Sequence, residues 1–482
     1  MTDIVIRPEA AAVEKVTSTT AAVAEDQIPT TRQELQHEGL PSTQELEQDD
    51  DLVESTLHDD DLELEDRLSS LPDDILSSIL ERLMLPEAAR TSVLSRRWRH
   101  LFRFRSIINL DVAYFARKIV KGGELERKHL PLISASLLQA ARSMLAQQDR
   151  QCPITMISRL YLRLQLREEC IDIISCVDNA MASGRPIASL WLIMTSEIVD
   201  DDCVDKHWIA YGRCFMKVFD AGPHAFAGVT HLHIECVRLS KDEMDSVLNT
   251  CKQLDYLCLH VFDCEGQSVL EIEHLRLTKL KITFCQFVRL VLRCFPKLRS
   301  LTCQSWMTSQ YQYPLSFGHV PQLSTLFLRN PGPKKAKNFL LSEFLSNVMV
   351  DALDLDFQSE KVWDHTGCAE GDNPYWRELR QQLFDKRSNI LAWEACGDLM
   401  HYSLKKLTIE GYEDEEKFTK FIRRVVEAAV GLELIVLLDS GWCPICNFSP
   451  STRYPQTSEE RDMTKKKISK WRSKPINVRI GT

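Results

Sequence analysis

The chain has 482 residues, of which 44% are hydrophobic and 27% charged, and its formal net charge at pH 7 is −10. This is ordinary globular usage, and the length predicts two to four domains of about 150 residues each. The acidic balance argues against a nucleic-acid-binding protein that works through bulk positive charge.

Several features bear on the cellular compartment. No apolar run reaches the ~18 residues of a membrane-spanning helix, and residues 1–16 lack the basic and apolar regions of a signal peptide. Sixteen cysteines without a secretion signal predict reduced thiols, several of them in apolar strings as at Cys236, Cys258 and Cys303. We therefore expect a cytoplasmic or nuclear protein.

Residues 1–65 form the first predicted region. They are polar, poor in aromatic residues and densely acidic towards their end, with runs at 49–51 and 59–61. Such a segment buries too little apolar surface to offset its ordering entropy, so we predict a disordered acidic segment. An acidic interaction tail is the alternative.

Residues 71–101 carry three short helical patterns. Pro72 suits a first helical position, Asp73 and Asp74 complement the helix dipole, and apolar residues then recur at spacings of three and four as far as Leu83. A second pattern restarts at Pro86, and Ser95 is a predicted N-cap for a third. A module this small buries its apolar surface poorly, which favours a docking element over an ordinary core.

The string from Leu71 to Arg99 resembles the F-box, the docking motif of ubiquitin-ligase substrate receptors, in both its LPDDIL and its SVLSRRWR halves. The resemblance implies a three-helix module over residues 66–106 that binds a Skp-type adaptor and, through it, a cullin/RING scaffold. A DNA recognition helix in the basic run 96–105 is the weaker alternative, given the acidic net charge. The positions that match the family's adaptor contacts are Leu71, Pro72, Ile75, Leu76, Ile79, Leu80, Val93 and Trp98.

A spaced pattern, apolar-x-x-apolar-x-apolar, recurs after the F-box-like string. From Leu232 to Leu353 its central residues follow at steps of 25, 23, 21, 25 and 27, within the range of about 20–29 residues of leucine-rich repeats. The last two apolar residues of each copy fit an inward-facing strand, and the remainder crosses the back as a helix, as predicted at 241–248, or as coil. The copies are Ile107/Leu110/Val112, Ile157/Leu160/Leu162, Ile187/Leu190/Leu192, Val229/Leu232/Ile234, Leu254/Leu257/Leu259, Leu277/Leu280/Ile282, Leu298/Leu301/Cys303, Leu323/Leu326/Leu328, Val350/Leu353/Leu355, Leu404/Leu407/Ile409 and Leu432/Ile435/Leu437.

The copies depart from a regular repeat. Only Cys285 supplies the Asn or Cys that feeds a hydrogen-bond ladder after the strand, whereas other copies place Phe262, Trp306 or Pro331 there. We predict an α/β chain in which a small three-helix F-box module precedes an irregular leucine-rich-repeat solenoid over residues 107–360. A β-rich fold with coincidental apolar strings is the alternative.

The C-terminal part predicts a strand at 402–409, a helix at 418–429 and a strand at 432–437. This order looks like the FBD-type tail of plant F-box/leucine-rich-repeat proteins, which the chain resembles as a whole. We assign residues 361–450 to an FBD-like region and 451–482 to a basic tail. The Lys465–Lys467 cluster is interpreted as a solvated terminus, with a nuclear-import signal as the alternative.

Cys443 and Cys446 form a CxxC pair. A zinc site needs four ligands and a redox pair needs a following helix; neither pattern is present nearby, so we predict a reduced loop pair, with zinc or redox chemistry as alternatives. No nucleophile, metalloprotease or nucleotide-binding motif is present. We therefore expect a chain that is not an enzyme and needs no cofactor.

The resemblance implies the substrate-recognition subunit of an SCF-type ubiquitin ligase, whose unidentified protein substrate binds the concave strands of the solenoid. The alternatives are a non-degradative repeat scaffold or a metal- or thiol-dependent protein that uses the CxxC pair. We expect no nucleic-acid or membrane partner. The predicted substrate contacts are His231, His233, Tyr256, His260, Lys279, Lys281, Phe327 and Arg329.

Overall fold

The computed structural model describes residues 68, 70–120, 127–145, 156–197, 203–264, 269–285, 287, 289–304, 315–329, 345, 348–356, 401–439, 453–472 and 476–481. The chain divides into a unit of residues 7–72 and a second unit that contains every described residue from Asp73 onward. In the first unit, the Leu71 amide donates to the Leu68 carbonyl at 3.2 Å; Leu71 is half-buried and Pro72 exposed.

Three helices open the second unit, as predicted: α1 (Asp73–Arg82), α2 (Leu85–Thr91) and α3 (Arg96–Arg103). The predicted N-cap is confirmed, because the Ser95 hydroxyl accepts from the Trp98 amide at 3.3 Å. Leu76, Leu80, Ala88 and Trp98 fill the space between the helices. The helices therefore have a small core of their own.

A parallel sheet of twelve strands follows in the described part of the chain. Its order is β1-β2-β3-β4-β5-β7-β9-β11-β12-β13-β14-β15. The strands are β1 (Ile107–Asp111), β2 (Arg159–Gln165), β3 (Leu190–Thr195), β4 (Val229–Glu235), β5 (Tyr256–His260), β7 (Lys279–Thr283), β9 (Ser300–Gln304), β11 (Thr325–Arg329), β12 (Ala352–Asp356), β13 (Lys406–Glu410), β14 (Leu434–Leu438) and β15 (Asn477–Gly481).

The back layer consists of the crossovers that parallel strands require. Helices cross behind both ends of the sheet, and the middle is covered by a three-stranded parallel sheet in the order β10-β8-β6. The back elements are α4 (Val112–Val120), a 3-10 turn (Arg127–His129), α5 (Leu130–Leu145), α6 (Cys170–Ala182), α7 (Asp205–Asp220), α8 (Pro223–Ala227), α9 (Lys241–Thr250), β6 (Val269–Ile272), β8 (Arg289–Cys294), β10 (Leu315–His319), α10 (Glu416–Ala428) and α11 (Ser458–Ser469).

The alternation of strand residues places the core between the two layers. Leu192, Leu232, Leu257 and Leu280 are fully buried or nearly so, and they pair with one another in register across β3, β4, β5 and β7. The same register continues to Ile435 in β14. The predicted solenoid of stacked repeats is confirmed, as is the α/β class.

The first repeat differs from its prediction. Ile108 and Leu110 pair with Leu160 and Leu162, so Leu110 is not the central residue and Val112 lies in α4 rather than in a strand. The register puts Arg105 at the place that Ile157 occupies in the second repeat. A buried arginine at an apolar position explains why the pattern was misaligned by two residues.

The C-terminal boundaries also differ. Residues 451–482 are predicted to form a basic tail, but the described residues 453–472 and 476–481 contain α11 and β15, and Val478 and Ile480 of β15 pair with Ile435 and Leu437 of β14. The predicted strand–helix–strand order at 402–437 is confirmed as β13, α10 and β14. Because β12 pairs with β13 and β14 with β15, the sheet runs through both assigned boundaries.

Three strands end in an unusual turn. Cys236, Val261 and Phe284 directly follow β4, β5 and β7, and all three have positive φ, between 47° and 56°. Side chains other than glycine rarely adopt this left-handed conformation, least of all a β-branched valine. All three residues occupy the same position, directly after a strand of the sheet. The tight turn that follows the strand, rather than the residue type, therefore determines the positive φ.

Two buried histidines join consecutive repeats. His274 Nε2 donates to the Cys251 carbonyl at 3.1 Å, and its Nδ1 accepts from the Leu277 amide at 3.0 Å. His401 repeats the arrangement with the Val348 carbonyl and the Leu404 amide, each at 3.2 Å. Because Nδ1 accepts in both, each ring must be neutral, and burial lowers the pKa of both histidines.

We predict that Gly212→Ala destabilises the fold. A Cβ at this position of α7 would lie 2.0 Å from the Arg238 carbonyl oxygen, so the helix must move away from the backbone it contacts. Overpacking of this kind costs about 1–3 kcal/mol, which outweighs the gain in helix propensity of about 1 kcal/mol. The measurement is the apparent melting temperature, with Gly481→Ala, which meets open space, as the control. A melting temperature equal to that of the parent protein would contradict the close contact.

We also predict that acidification weakens the fold through His274. The folded-state pKa lies below the ordinary value of about 6.5, so the unfolded chain binds more protons in that range and stability falls as pH falls through about 6.5. His274→Phe leaves the Cys251 carbonyl and the Leu277 amide unpaired, which costs about 1–3 kcal/mol at neutral pH. The melting temperature of the variant should depend less on pH than that of the parent. Parallel pH profiles for the two proteins would show that His274 does not contribute.

Candidate functional sites

The fold presents two candidate binding surfaces. One is the outer side of the helices α1–α3, and the other is the strand face, the face of the sheet turned away from the back layer. It consists of the residues that alternate with the buried ones along each strand.

The turn between α2 and α3 exposes apolar side chains on a rigid backbone. Val93 and Leu94 are 81% and 66% exposed. Their amides donate to the carbonyls of Arg90 and Thr91 at 3.2 and 3.0 Å, so the turn is hydrogen-bonded. The hydroxyl of Ser92 donates to the Ala89 carbonyl at 2.6 Å and stiffens the turn further. This geometry holds two apolar side chains in solvent.

The predicted adaptor contacts fall into two groups. Ile75 and Val93 are exposed, and Ile79 is partly buried. In the preceding unit, Leu71 is half-buried and Pro72 is exposed. Leu76, Leu80 and Trp98 are buried, which makes them core residues of the module in this conformation. Adaptor contact by all eight stays a prediction, and Met84 and Leu94 are exposed apolar residues that the motif comparison missed.

The helical module is fixed to the first strands by polar contacts. Arg105 Nη2 donates to the Leu83 carbonyl at 3.0 Å, and the Ser106 hydroxyl donates to Glu81 at 2.5 Å. The Ser158 hydroxyl in turn donates to the Ser106 carbonyl at 3.0 Å. The module and the sheet therefore share one set of hydrogen bonds around the start of β1.

The strand face carries an aromatic row, which we define as Tyr161, Trp191, His231 and Tyr256. These residues are direct neighbours in register across β2, β3, β4 and β5. Their successive ring centroids lie 6.3, 4.1 and 5.8 Å apart, and the Trp191 and His231 rings are stacked. The Arg159 guanidinium lies 5.1 Å from the centre of the Trp191 ring on the β2 side.

Hydrogen bonds hold this row in place. Trp191 Nε1 donates to the Ser189 hydroxyl at 2.9 Å, which is 2.8 Å from the Thr230 hydroxyl. His231 Nδ1 lies 3.1 Å from the same Thr230 oxygen. Burial lowers the pKa of His231; Asp255 opposes the shift, while Lys279 and Arg159 add to it. His231 is therefore mostly neutral at pH 7.

The predicted substrate contacts lie largely on this face. His231, Tyr256 and Lys279 form one row, and His233 and Lys281 belong to the next row along the strands, on either side of the buried Cys258. His260 lies one row further and contacts the Thr283 hydroxyl through Nδ1 at 2.6 Å. Phe327 is half-buried on the same face of β11, and the side chain of Arg329 lies outside the described residues. Their role as contacts stays a prediction.

Sequence comparison missed two members of the row, Tyr161 and Trp191. Both belong to repeats whose spacing is irregular, and Trp191 lies in the apolar string LWLIM, which does not alternate visibly. Aligning the central leucines of the repeats would have predicted the row. Trp191 directly precedes Leu192, just as His231 precedes Leu232 and Tyr256 precedes Leu257.

The cysteines that the structure describes are free thiols, most of them buried. Among the described residues no group of three or more His, Cys, Asp or Glu is arranged to hold a metal ion. Cys236, Cys258 and Cys303 are buried, as predicted, and burial raises the pKa of the Cys258 thiol to about 11. Cys285 does donate to the Leu259 carbonyl at 3.5 Å, as the ladder position suggested. The CxxC pair, with Trp306 and Pro331, lies outside the described residues.

Comparison with known proteins matches both parts of the chain. The F-box domain model matches residues 68–109, and the model described as FBD-associated F-box protein At5g56370, LRR repeats, matches residues 203–338. No described helix has the length and apolar character needed to cross a membrane.

Three curated relatives are similar to parts of the chain. F-box/LRR-repeat protein At5g38396 of Arabidopsis thaliana is 29% identical over 150 residues, 31% of this chain and 29% of the relative. F-box/LRR-repeat protein At4g14103 of the same plant is 27% identical over 222 residues, 44% of this chain and 55% of the relative. MEIOTIC F-BOX protein MOF of Oryza sativa subsp. japonica is 53% identical over 50 residues, 10% of each chain. The chain thus spans 29% and 55% of the first two relatives, and the predicted resemblance to this plant family is confirmed.

We predict that core and face substitutions have separable effects on two strands of the same sheet, β11 and β7, which both pair with β9. Leu326→Ala removes a fully buried side chain of β11 and should lower the free energy of unfolding by about 2–5 kcal/mol. Lys281→Ala changes only the strand face and should stay within about 0.5 kcal/mol. Chemical denaturation followed by circular dichroism measures both. A Lys281 variant as unstable as the Leu326 variant would show that the face residues belong to the folded core.

Proposed function

We propose that this chain, a plant-type F-box/leucine-rich-repeat protein, is the substrate-recognition subunit of an SCF-type ubiquitin ligase. Its helical module binds a Skp-type adaptor, through which it joins a cullin/RING scaffold, and its repeats bind the protein to be ubiquitinated. A separate conjugating enzyme performs the transfer, so the chain itself is a non-catalytic receptor.

The observation that carries this proposal is the pair Val93 and Leu94. Soluble proteins usually leave single apolar side chains exposed, whereas these two are adjacent and lie on a hydrogen-bonded turn. Ile75 of α1 and Met84 before α2 are also exposed. A partner that covers these side chains gains hydrophobic energy and pays little ordering entropy, because the turn is already rigid.

The connection between the two parts supports the same function. The contacts of Arg105 and Ser106 described above, and the inclusion of Leu85 of α2 in the core that continues through the repeats, join the module to the sheet. A substrate held on the repeats is thereby kept at a restricted distance from the adaptor. Fixed distance raises the effective concentration of a substrate lysine near the conjugating enzyme, which is how a receptor without catalytic groups accelerates transfer.

We predict that Val93→Asp weakens adaptor binding at least about 30-fold. Apolar anchors at the centre of an interface commonly contribute about 2 kcal/mol or more, and a charge there adds a desolvation cost. The measurement is titration of purified Skp-type adaptor into the full chain. Met463→Asp is the matched control, because Met463 is 65% exposed on α11, outside the module.

The two variants make the outcome decisive. Both replace an exposed apolar side chain, so both should keep the melting temperature of the parent, and only Val93→Asp should lose the adaptor. Equal adaptor affinity for the parent and the Val93 variant would remove the turn from the interface. Equal loss in both variants would indicate a general effect of added charge.

A further inference from the structure

We propose that the strand face of β2, β3, β4, β5 and β7 binds an extended acidic peptide segment of the substrate. This inference rests on the proposed function, since the peptide belongs to the protein that the receptor captures. The aromatic row and the cations beside it define the chemistry of the segment: apolar or aromatic residues at its centre and carboxylates on either side.

The dimensions of the row fit one extended chain. Four side chains on adjacent strands span three inter-strand steps, or about 14 Å at ~4.8 Å per step. An extended peptide advances about 3.3 Å per residue, so about four residues cover the row. The row lies on an open sheet face, which can contact one side of a peptide, whereas sites for small molecules enclose most of their ligand.

The stacking of the row determines which part of the rings a partner meets. The His231 ring stacks on the Trp191 ring with their centroids 4.1 Å apart. The Arg159 guanidinium lies over the Trp191 ring, 5.1 Å from its centroid. Because the Trp191 and His231 rings are stacked on each other, a partner meets the edges of these two rings, which carry the positive end of the aromatic quadrupole. Edges attract carboxylate oxygens, and the occupied faces of Trp191 do not offer a platform for stacking nucleobases.

Two cations flank the aromatic row on this face. Arg163 on β2 and Lys281 on β7 lie in the second row of the face, at the two sides of the aromatic row. Neither forms an ion pair within the part of the chain that the structure describes. Their separation is four strand steps, about 19 Å, or about six residues of extended peptide.

The carboxylates on the same face are already engaged in local hydrogen bonds. Asp111 accepts from the Ala113 amide at 2.8 Å, Asp255 accepts from the Thr278 hydroxyl at 2.8 Å, and Glu235 accepts from the Ser196 hydroxyl at 3.4 Å. Each of these carboxylates therefore has a local donor, whereas Arg163 and Lys281 form no ion pair among the described residues. A segment with acidic residues about six positions apart and an apolar centre complements it.

The experiment selects peptides with the immobilised full chain. A displayed library of random peptides of about twelve residues, long enough to cover the face, is enriched on this chain. Enriched peptides are synthesised with a fluorescent label, and their affinity is measured by anisotropy. We expect Asp and Glu on both sides of an aromatic or aliphatic centre, and affinity that falls as salt rises from about 0.05 to about 0.3 M.

Variants of the face decide whether these peptides bind where proposed. Arg163→Glu with Lys281→Glu should weaken binding at least about tenfold, since like charges then face the peptide. Trp191→Ser should also weaken it, with the melting temperature as a check on folding. Arg479→Glu is the control for each single charge reversal: it makes the same change as Arg163→Glu or Lys281→Glu alone, on the same face, in β15, and should leave affinity unchanged.

Each remaining result overturns the proposal. These are enrichment of basic or uncharged peptides, no enrichment at all, or acidic peptides whose affinity is the same for the parent and the double charge-reversal variant. Adaptor binding is measured separately on every variant. A face variant that loses peptide affinity but keeps adaptor binding supports this inference. A parent chain that binds peptide but not the adaptor refutes the proposed function and leaves this inference standing.

Discussion

The structure depends on one packing constraint: a single repeat cannot bury its own strand. Each parallel strand presents its inward side chains to the next, and the row from Leu160 to Ile435 is buried only because neighbours cover it on both sides. The crossovers then have to cover the back, which helices do near the ends and β6, β8 and β10 do in the middle. Strand side chains alternate between the two faces, so the register of the buried residues also fixes the positions of the outward-facing ones, including the aromatic row.

The same constraint explains which parts of the fold were predictable. Central leucines recur because each must fill the same slot between the layers, so eleven strands of the twelve-stranded sheet could be located from spacing alone. The register of β1 differs from the prediction because the buried Arg105, whose Nη2 donates to the Leu83 carbonyl, occupies the position at which other repeats have an apolar residue. β15 was missed because its two inward residues, Val478 and Ile480, follow a strongly charged helix without the leading leucine of the other copies.

The candidate sites were harder to predict than the fold. A motif marks positions but not their exposure: Ile75 and Leu76 are adjacent and equally apolar, yet one is exposed and the other fully buried. Helical geometry separates them, because only one points between α1 and α3. On the strand face, chemistry that depends on side-by-side placement is invisible in the chain order, since Trp191 and His231 are 40 positions apart in sequence yet stacked at 4.1 Å.

The proposed function divides the molecule into a dock and a receptor that share one framework. The most direct test of this account is the stoichiometry of the full chain with a purified Skp-type adaptor, measured by sedimentation or light scattering of the mixture. The account predicts a complex of one chain with one adaptor that survives dilution to micromolar concentration. Two species that remain separate at every concentration tested would contradict it.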